Sequence, residues 1–177
     1  MKNKVELISP ELFAEPGVNT YAILDGASVP GLVLRLHECQ PNHECLYRGE
    51  LAPDMAEVAP YLVQLEAETE FTDWVLNQGW GNHWGVFAVS DGDLFALRQH
   101  FRKFLTVYDS SGKPMLFRYY DPRVLSVYLP TCNPEEVTSL FGPVSRFLME
   151  SDGVGAMLMF ENKSGTLSQK KKVIAEE

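Results

Sequence analysis

Cysteine is scarce in this chain, and so is any long apolar run. Three Cys (Cys39, Cys45 and Cys132) in 177 residues are too few, and odd in number, to frame a disulfide scaffold. The longest apolar stretch, VGAMLMF at 154–160, falls far short of the roughly 20 residues a membrane-spanning helix needs. Met1-Lys2-Asn3-Lys4 leads into no apolar signal core, so a reducing, cytoplasmic location is expected. Positive charge is also in short supply. The 15 Lys and Arg against 24 Asp and Glu leave a net charge of -9, which favours solubility and argues against nucleic acid as a partner. Phosphate-binding loops are missing as well: GWG at 79–81 and GVG at 153–155 lack the rest of either nucleotide fingerprint. There is no G-x-S-x-G elbow and no H-E-x-x-H pair. Neither a repeat of about 20 to 50 residues nor a flexible linker divides the chain.

What is present suffices for one sizeable core, since 45% of the residues are hydrophobic. NTYAILDGAS (19–28) reads as a buried strand ended by an Asp25-Gly26 turn, and PYLVQLE (60–66), CLYRGEL (45–51) and HWGVFAVS (83–90) read as further strands. PGLVLRLHEC (30–39) fits either element type. EFTDWVLNQG reads as a helix stopped by Gly79. The clearest helix follows Ser90 or Asp91, either of which can cap it, and carries Leu94, Leu97, Phe101, Phe104 and Leu105 on one stripe. After the DSSGKP turn, MLFRYY (115–120) reads as a strand. DPRVLSVYL and NPEEVTSLFG then read as helices, capped by Asp121 and Asn133 with Pro122 and Pro134 at the first helical position.

Charge is unevenly distributed. Residues 1–80 carry a balance of -9, whereas residues 98–123, with Arg98, Arg102, Lys103, Lys113, Arg118 and Arg123, carry +4. Such a bipolar chain either presents two solvated faces or orients a protein partner.

HECQPNHEC (37–45) places His37, Cys39, His43 and Cys45 within nine positions, and imidazole and thiolate are the ligands zinc prefers. Structural zinc sites, however, join two chelating pairs separated by a dozen or so residues, and here only Gln40, Pro41 and Asn42 intervene. The quartet reads as a polar turn, with no metal and no cofactor expected. A Cys132 pairing with His83 or His100 has no more behind it than chance proximity, and Asp121 with Arg118 and Arg123 reads as a structural ion-pair network.

Five segments, YAILDGA (21–27), VAPYLVQL (58–65), LRQHFRKFLTV (97–107), FRYYDPRVL (117–125) and LFGPV (140–144), stand in the order and spacing of the type VI secretion effector-chaperone family. The resemblance runs from Tyr21 to Val144, and RYYDPRVL is its most specific piece. It implies a non-catalytic adaptor that binds a cognate effector and helps to mount it on the VgrG spike, with a PAAR tip domain often attached to one of these partners. The positions that match the family motif are Asp25, Gly26, Pro60, Tyr61, Arg118, Tyr120, Asp121, Pro122, Arg123, Gly142 and Pro143, whose residue types suggest scaffold more than contact. Many relatives carry a long helical extension after the shared domain, and only some thirty residues follow Val144 here.

The expected architecture is a single α+β domain, a mixed sheet of short strands flanked by about four helices. It divides into an N-terminal segment (1–18), the adaptor domain (19–145) and a short extension with a Lys-rich tail (146–177), frayed or ordered only on binding. Candidate partner-binding residues are Trp74, Trp80 and Trp84, clustered among Gly79, Gly81 and Gly85, and the basic Arg98, Arg102 and Lys103. The Met-rich VGAMLMF segment competes for the same role. The function expected is effector chaperone and adaptor. The alternative is a zinc-dependent or thiol enzyme centred on the 37–45 quartet.

Overall fold

The run at 19–25 is apolar on both sides of the strand, and the computed structural model shows why. Strand β1 (Asn19–Asp25) lies inside a sheet covered on both faces, so every residue after Asn19 is buried. The structure describes residues 3–151 and 155–174. Ahead of β1 comes helix α1 (Lys4–Leu12), started by a capping box in which the Asn3 side chain accepts from the Glu6 amide at 2.9 Å and the Glu6 carboxylate accepts from the Asn3 amide at 3.2 Å.

The chain then runs through α2 (Leu32–Cys39), β2 (His43–Cys45), α3 (Pro53–Val58), β3 (Pro60–Leu65), α4 (Glu70–Trp74) with a π-helical turn to Gly79, and β4 (Gly85–Ser90). Next are α5 (Leu94–Arg102), the strands β5 (Thr106–Tyr108) and β6 (Pro114–Leu116), α6 (Pro122–Tyr128), α7 (Pro134–Phe141), β7 (Val144–Glu150), β8 (Ala156–Lys163) and β9 (Thr166–Val173). Seven strands make one sheet in the order β2-β3-β1-β4-β7-β8-β9, while β5 and β6 pair only with each other.

The α+β class is as the sequence indicates. Every pairing between described strands is antiparallel, where a mixed sheet was expected, and the described residues hold seven α-helices in place of about four. Alternation along each strand feeds two cores. Tyr21, Ile23, Val86 and Phe147 pack beneath α5, α6 and α7, through Phe101, Leu125 and Phe141. Ala22, Leu24, Phe87 and Leu148 face the opposite way, onto Ile8 and Leu12 of α1, Leu36 of α2 and Phe71 of α4.

Residues 144–151 and 155–173 do not form a frayed tail. They supply three of the seven strands, and VGAMLMF, of which Val154 lies outside the described residues, is core: Met157 and Phe160 are fully buried on opposite faces of β8. The device that turns β8 back into β9 is a two-residue loop. Ser164 and Gly165 both have positive φ (54° and 86°), and the Asn162 side chain accepts from the Gly165 amide at 2.7 Å.

Two sequence-based strands are shorter than expected. CLYRGEL contributes only Cys45 to a strand, and MLFRYY only Met115 and Leu116. The helix after Ser90 is capped by Asp93, whose side chain accepts from the Ala96 amide, and not by Ser90 or Asp91.

Candidate partner-binding surface

Most of the motif residues converge where β1 ends and α6 begins. Asp25 is buried at the end of β1 and accepts from the Ala27 amide (3.1 Å), the Ser28 hydroxyl (2.8 Å) and the Arg118 guanidinium. Arg118 also lies 3.8 Å from Asp121, which caps α6 and is gripped by Arg123 through Nε at 3.0 Å and Nη2 at 2.7 Å. Burial works to raise the Asp121 carboxyl, but the Arg123 side-chain and backbone hydrogen bonds, with the Arg123 and Arg118 charges, hold it below its ordinary value.

Gly26, Pro60, Tyr61, Tyr120 and Pro122 lie beside this network. Gly26 donates its amide to Ala59 O at 3.0 Å, just before Pro60 opens β3 opposite Asp25. Tyr61 donates its hydroxyl to Ala56 O at 2.9 Å, and burial pushes its pKa up to about 12. Tyr120 is buried, which raises its phenol still further, and Pro122 is buried at the first turn of α6. Gly142 and Pro143 stand apart, towards the Asn19 end of β1: Gly142 lies against the His100 ring, and Pro143 O accepts at 2.6 Å from the hydroxyl of Ser90, which pairs with Asn19.

The three Trp do not form one surface. Trp80 belongs to the core, 8% exposed and stacked on Phe87 with ring centroids 6.2 Å apart. Trp74 and Trp84 are half-buried, 4.8 Å apart, and Arg35 lies over the Trp74 ring at 5.3 Å while pairing with Glu38 and Glu70. The loop carrying Trp80 is pinned by a residue the sequence did not single out. Glu150, buried at the end of β7, accepts from the amides of Gly81 and His83 and meets the His83 ring. Lys4 holds the same loop from α1, donating to Trp80 O at 2.6 Å.

The basic trio divides in the same way. Arg102 turns inward, its Nη2 donating to the carbonyls of Cys45 (2.9 Å) and Tyr47 (3.1 Å) and its Nε to that of Leu46 (3.1 Å). It replaces the sheet partner that CLYRGEL lacks. Arg98 pairs with Glu44 at 2.7 Å and lies over the Phe95 ring. Lys103 alone of the three is exposed and, among the described residues, without a partner.

The 37–45 quartet is split between a helix end and an edge strand. His37 and Cys39 close α2, Gln40 adopts the left-handed cap conformation, and His43 and Cys45 are the two ends of β2. His37 and His43 border one open groove beside Tyr61, whereas Cys39 lines the neighbouring groove beside Asn42 and Thr69. Among the described residues, no three His, Cys, Asp or Glu side chains are brought together as a metal site. Burial, the largest influence on the Cys45 thiol, raises its pKa.

Three exposed large apolar side chains lie on the β5-β6 hairpin, which forms a sheet of its own. Tyr108, Met115 and Leu116 are 70%, 46% and 54% exposed. Its loop is prefolded. Asp109 accepts from the Ser111 hydroxyl (2.6 Å), the Ser111 amide (2.8 Å) and the Lys113 amide (2.9 Å), and the Ser111 hydroxyl leads the hydrogen bonds that lower its pKa. The hairpin lies within the +4 segment, between Lys103 and Arg118.

One family model matches, over residues 20–139: the domain of unknown function DUF4123. The match covers about two-thirds of the chain. The chain belongs to the DUF4123 family. Comparison with curated proteins and with solved structures returns no match. In this DUF4123 protein the matched span runs from β1 into α7 and contains the ion-pair network, the inward-turned Arg102 and the exposed hairpin. Strands β7, β8 and β9 lie beyond it.

His100 gives the DUF4123 core a pH dependence. Burial lowers its pKa, only partly offset by the hydrogen bond of Nε2 to Leu140 O at 2.8 Å, so the folded protein holds it neutral more tightly than the unfolded chain does. The unfolded state therefore binds the extra proton first, and stability falls as pH drops through the ordinary histidine range of about 6.5. Melting temperatures from pH 7.5 to 5.5 should decline for the wild type and run flatter for His100→Gln.

Proposed function

We propose that this protein is a non-catalytic chaperone and adaptor that binds a cognate type VI secretion effector and helps to load it on the VgrG spike. Membership of DUF4123 supports the reading, because the motif segments that carry the resemblance to the effector-chaperone family lie within or beside the matched span.

The observation that carries it is the hairpin. Tyr108 and Leu116 share one face of a small two-stranded element, with Met115 on the other, and its loop is already ordered, so little conformational entropy remains to be lost when a partner covers it. Lys103 precedes the hairpin and Lys113 lies in its loop, and an acidic client is steered to it by charge before apolar contact forms. Half-exposed Arg118, bound to the buried carboxylates of Asp25 and Asp121, holds the root of β6 against the main sheet and fixes the hairpin's base. Cytoplasmic residence fits the same role, with Cys39, Cys45 and Cys132 present as free thiols.

Co-expression tests it. The effector encoded beside this gene should gain soluble yield when the two are produced together, and the pair should co-purify without added nucleotide or metal. Failure to retain any effector or spike fragment from the same locus contradicts the proposal.

A further inference from the structure

Strand β9 ends the sheet, and its outer edge is a long, regular row of backbone donors and acceptors. Its eight residues pair with β8 without a bulge, from Ala156 opposite Val173 to Lys163 opposite Thr166, and no described strand pairs on the other side. The opposite edge is closed differently, because β2 is only three residues long and Arg98 and Arg102 fasten it and the loop that follows to α5. From Gln169 to Val173 every β9 side chain is exposed.

Three consecutive lysines occupy this edge. Lys170 and Lys172 stand opposite Met159 and Met157 and so emerge on the α1 side of the sheet, where Lys172 pairs with Glu11. Lys171 stands opposite Leu158 and emerges on the other face. Neither Lys170 nor Lys171 has an ionic partner among the described residues. Edge pairing of two copies of β9 would set lysine against lysine, since like charges on adjoining strands repel. An acidic strand meets the opposite condition: its carboxylates would reach a lysine on each face while its backbone completed the ladder.

We propose that the outer edge of β9 is a docking site for an extended, acidic segment of a partner protein, added as an eighth strand and selected by Lys170 and Lys171. The site lies outside the span that defines the family and is separate from the β5-β6 hairpin, so it stands or falls apart from the adaptor reading.

The test uses a labelled ten-residue Glu-Val peptide in which Glu-Glu pairs alternate with Val-Val pairs, so that both faces of the strand carry carboxylates, with a Lys-Val peptide of the same pattern and a Glu-Val peptide interrupted by proline as controls. Anisotropy should show binding of the Glu-Val peptide to the full chain, at least tenfold weaker binding of both controls, and at least a tenfold loss with Lys170→Glu/Lys171→Glu. Hydrogen exchange should show the β9 amides slowed by the Glu-Val peptide and by neither control. Absence of binding, binding that leaves β9 exchange unchanged, equal binding of the proline peptide, or indifference to the double substitution each overturns the proposal. So does a dimer of the protein alone, in sedimentation, whose β9 amides are already protected.

Discussion

Gly26→Ala is expected to destabilise the protein by about 2 to 3 kcal/mol, the range for overpacking a site that cannot give way. A methyl group at residue 26 would be driven against Ala59 O and would stand 2.7 Å from Glu57 O. Both are backbone atoms, fixed by the close of α3 and the start of β3, so no side chain can rotate aside. The same approach carries the Gly26 amide to Ala59 O, so a shift large enough to relieve the clash also breaks that bond. For a chain of this size the loss corresponds to a melting temperature lower by roughly 4 to 12 °C. Gly49→Ala is the control. Its φ is 81° but nothing lies within 4 Å of the new carbon, so only left-handed strain of about 1 to 2 kcal/mol applies. Thermal melts of the two variants should rank in that order.

Arg102→Ala is expected to cost about 2 to 4 kcal/mol, because it leaves three carbonyls of the 45–47 segment without their shared donor, and hydrogen bonds from a charged group are the stronger kind. Leu46, wholly buried between Cys45 and Tyr47, depends on that segment holding its path. Lys103→Glu, one residue further on, should change stability by no more than about 0.5 kcal/mol. Denaturant melts of the pair distinguish an internal clamp from a surface charge.

Arg102 also shows where sequence reasoning stops. The Arg98, Arg102 and Lys103 cluster is visible in the sequence, but which members face solvent depends on the segment that passes beside α5, more than fifty residues earlier in the chain. CLYRGEL has strand-like composition, yet beyond Cys45 its carbonyls are taken by Arg102, and a side-chain donor leaves no periodic signature.

Local signals fared better. The Asp121-Pro122 and Asn133-Pro134 starts of α6 and α7 stand where the sequence puts them, because caps are decided within four residues. The Asn3–Glu6 capping box was equally legible, in a helix that also holds Pro10. The Ser164-Gly165 hairpin signal was also there to be read, between Met- and Phe-rich β8 and polar β9, but a Lys-rich end suggests a solvated tail. The apolar run of β1 indicates a sheet buried on both faces and does not specify strand direction. Exposure of the hairpin is wholly tertiary, since Tyr108, Met115 and Leu116 are residue types as common in cores.

The central claim is that this DUF4123 protein works by holding a protein client on the exposed hairpin. It is tested most directly by titrating the purified effector from the same locus against wild type, Tyr108→Ala and Leu116→Asp, with a melt recorded for each. The account predicts melts close to wild type and affinities weaker by about 2 kcal/mol, roughly thirtyfold. Effector bound as tightly by both stably folded variants as by wild type would contradict it.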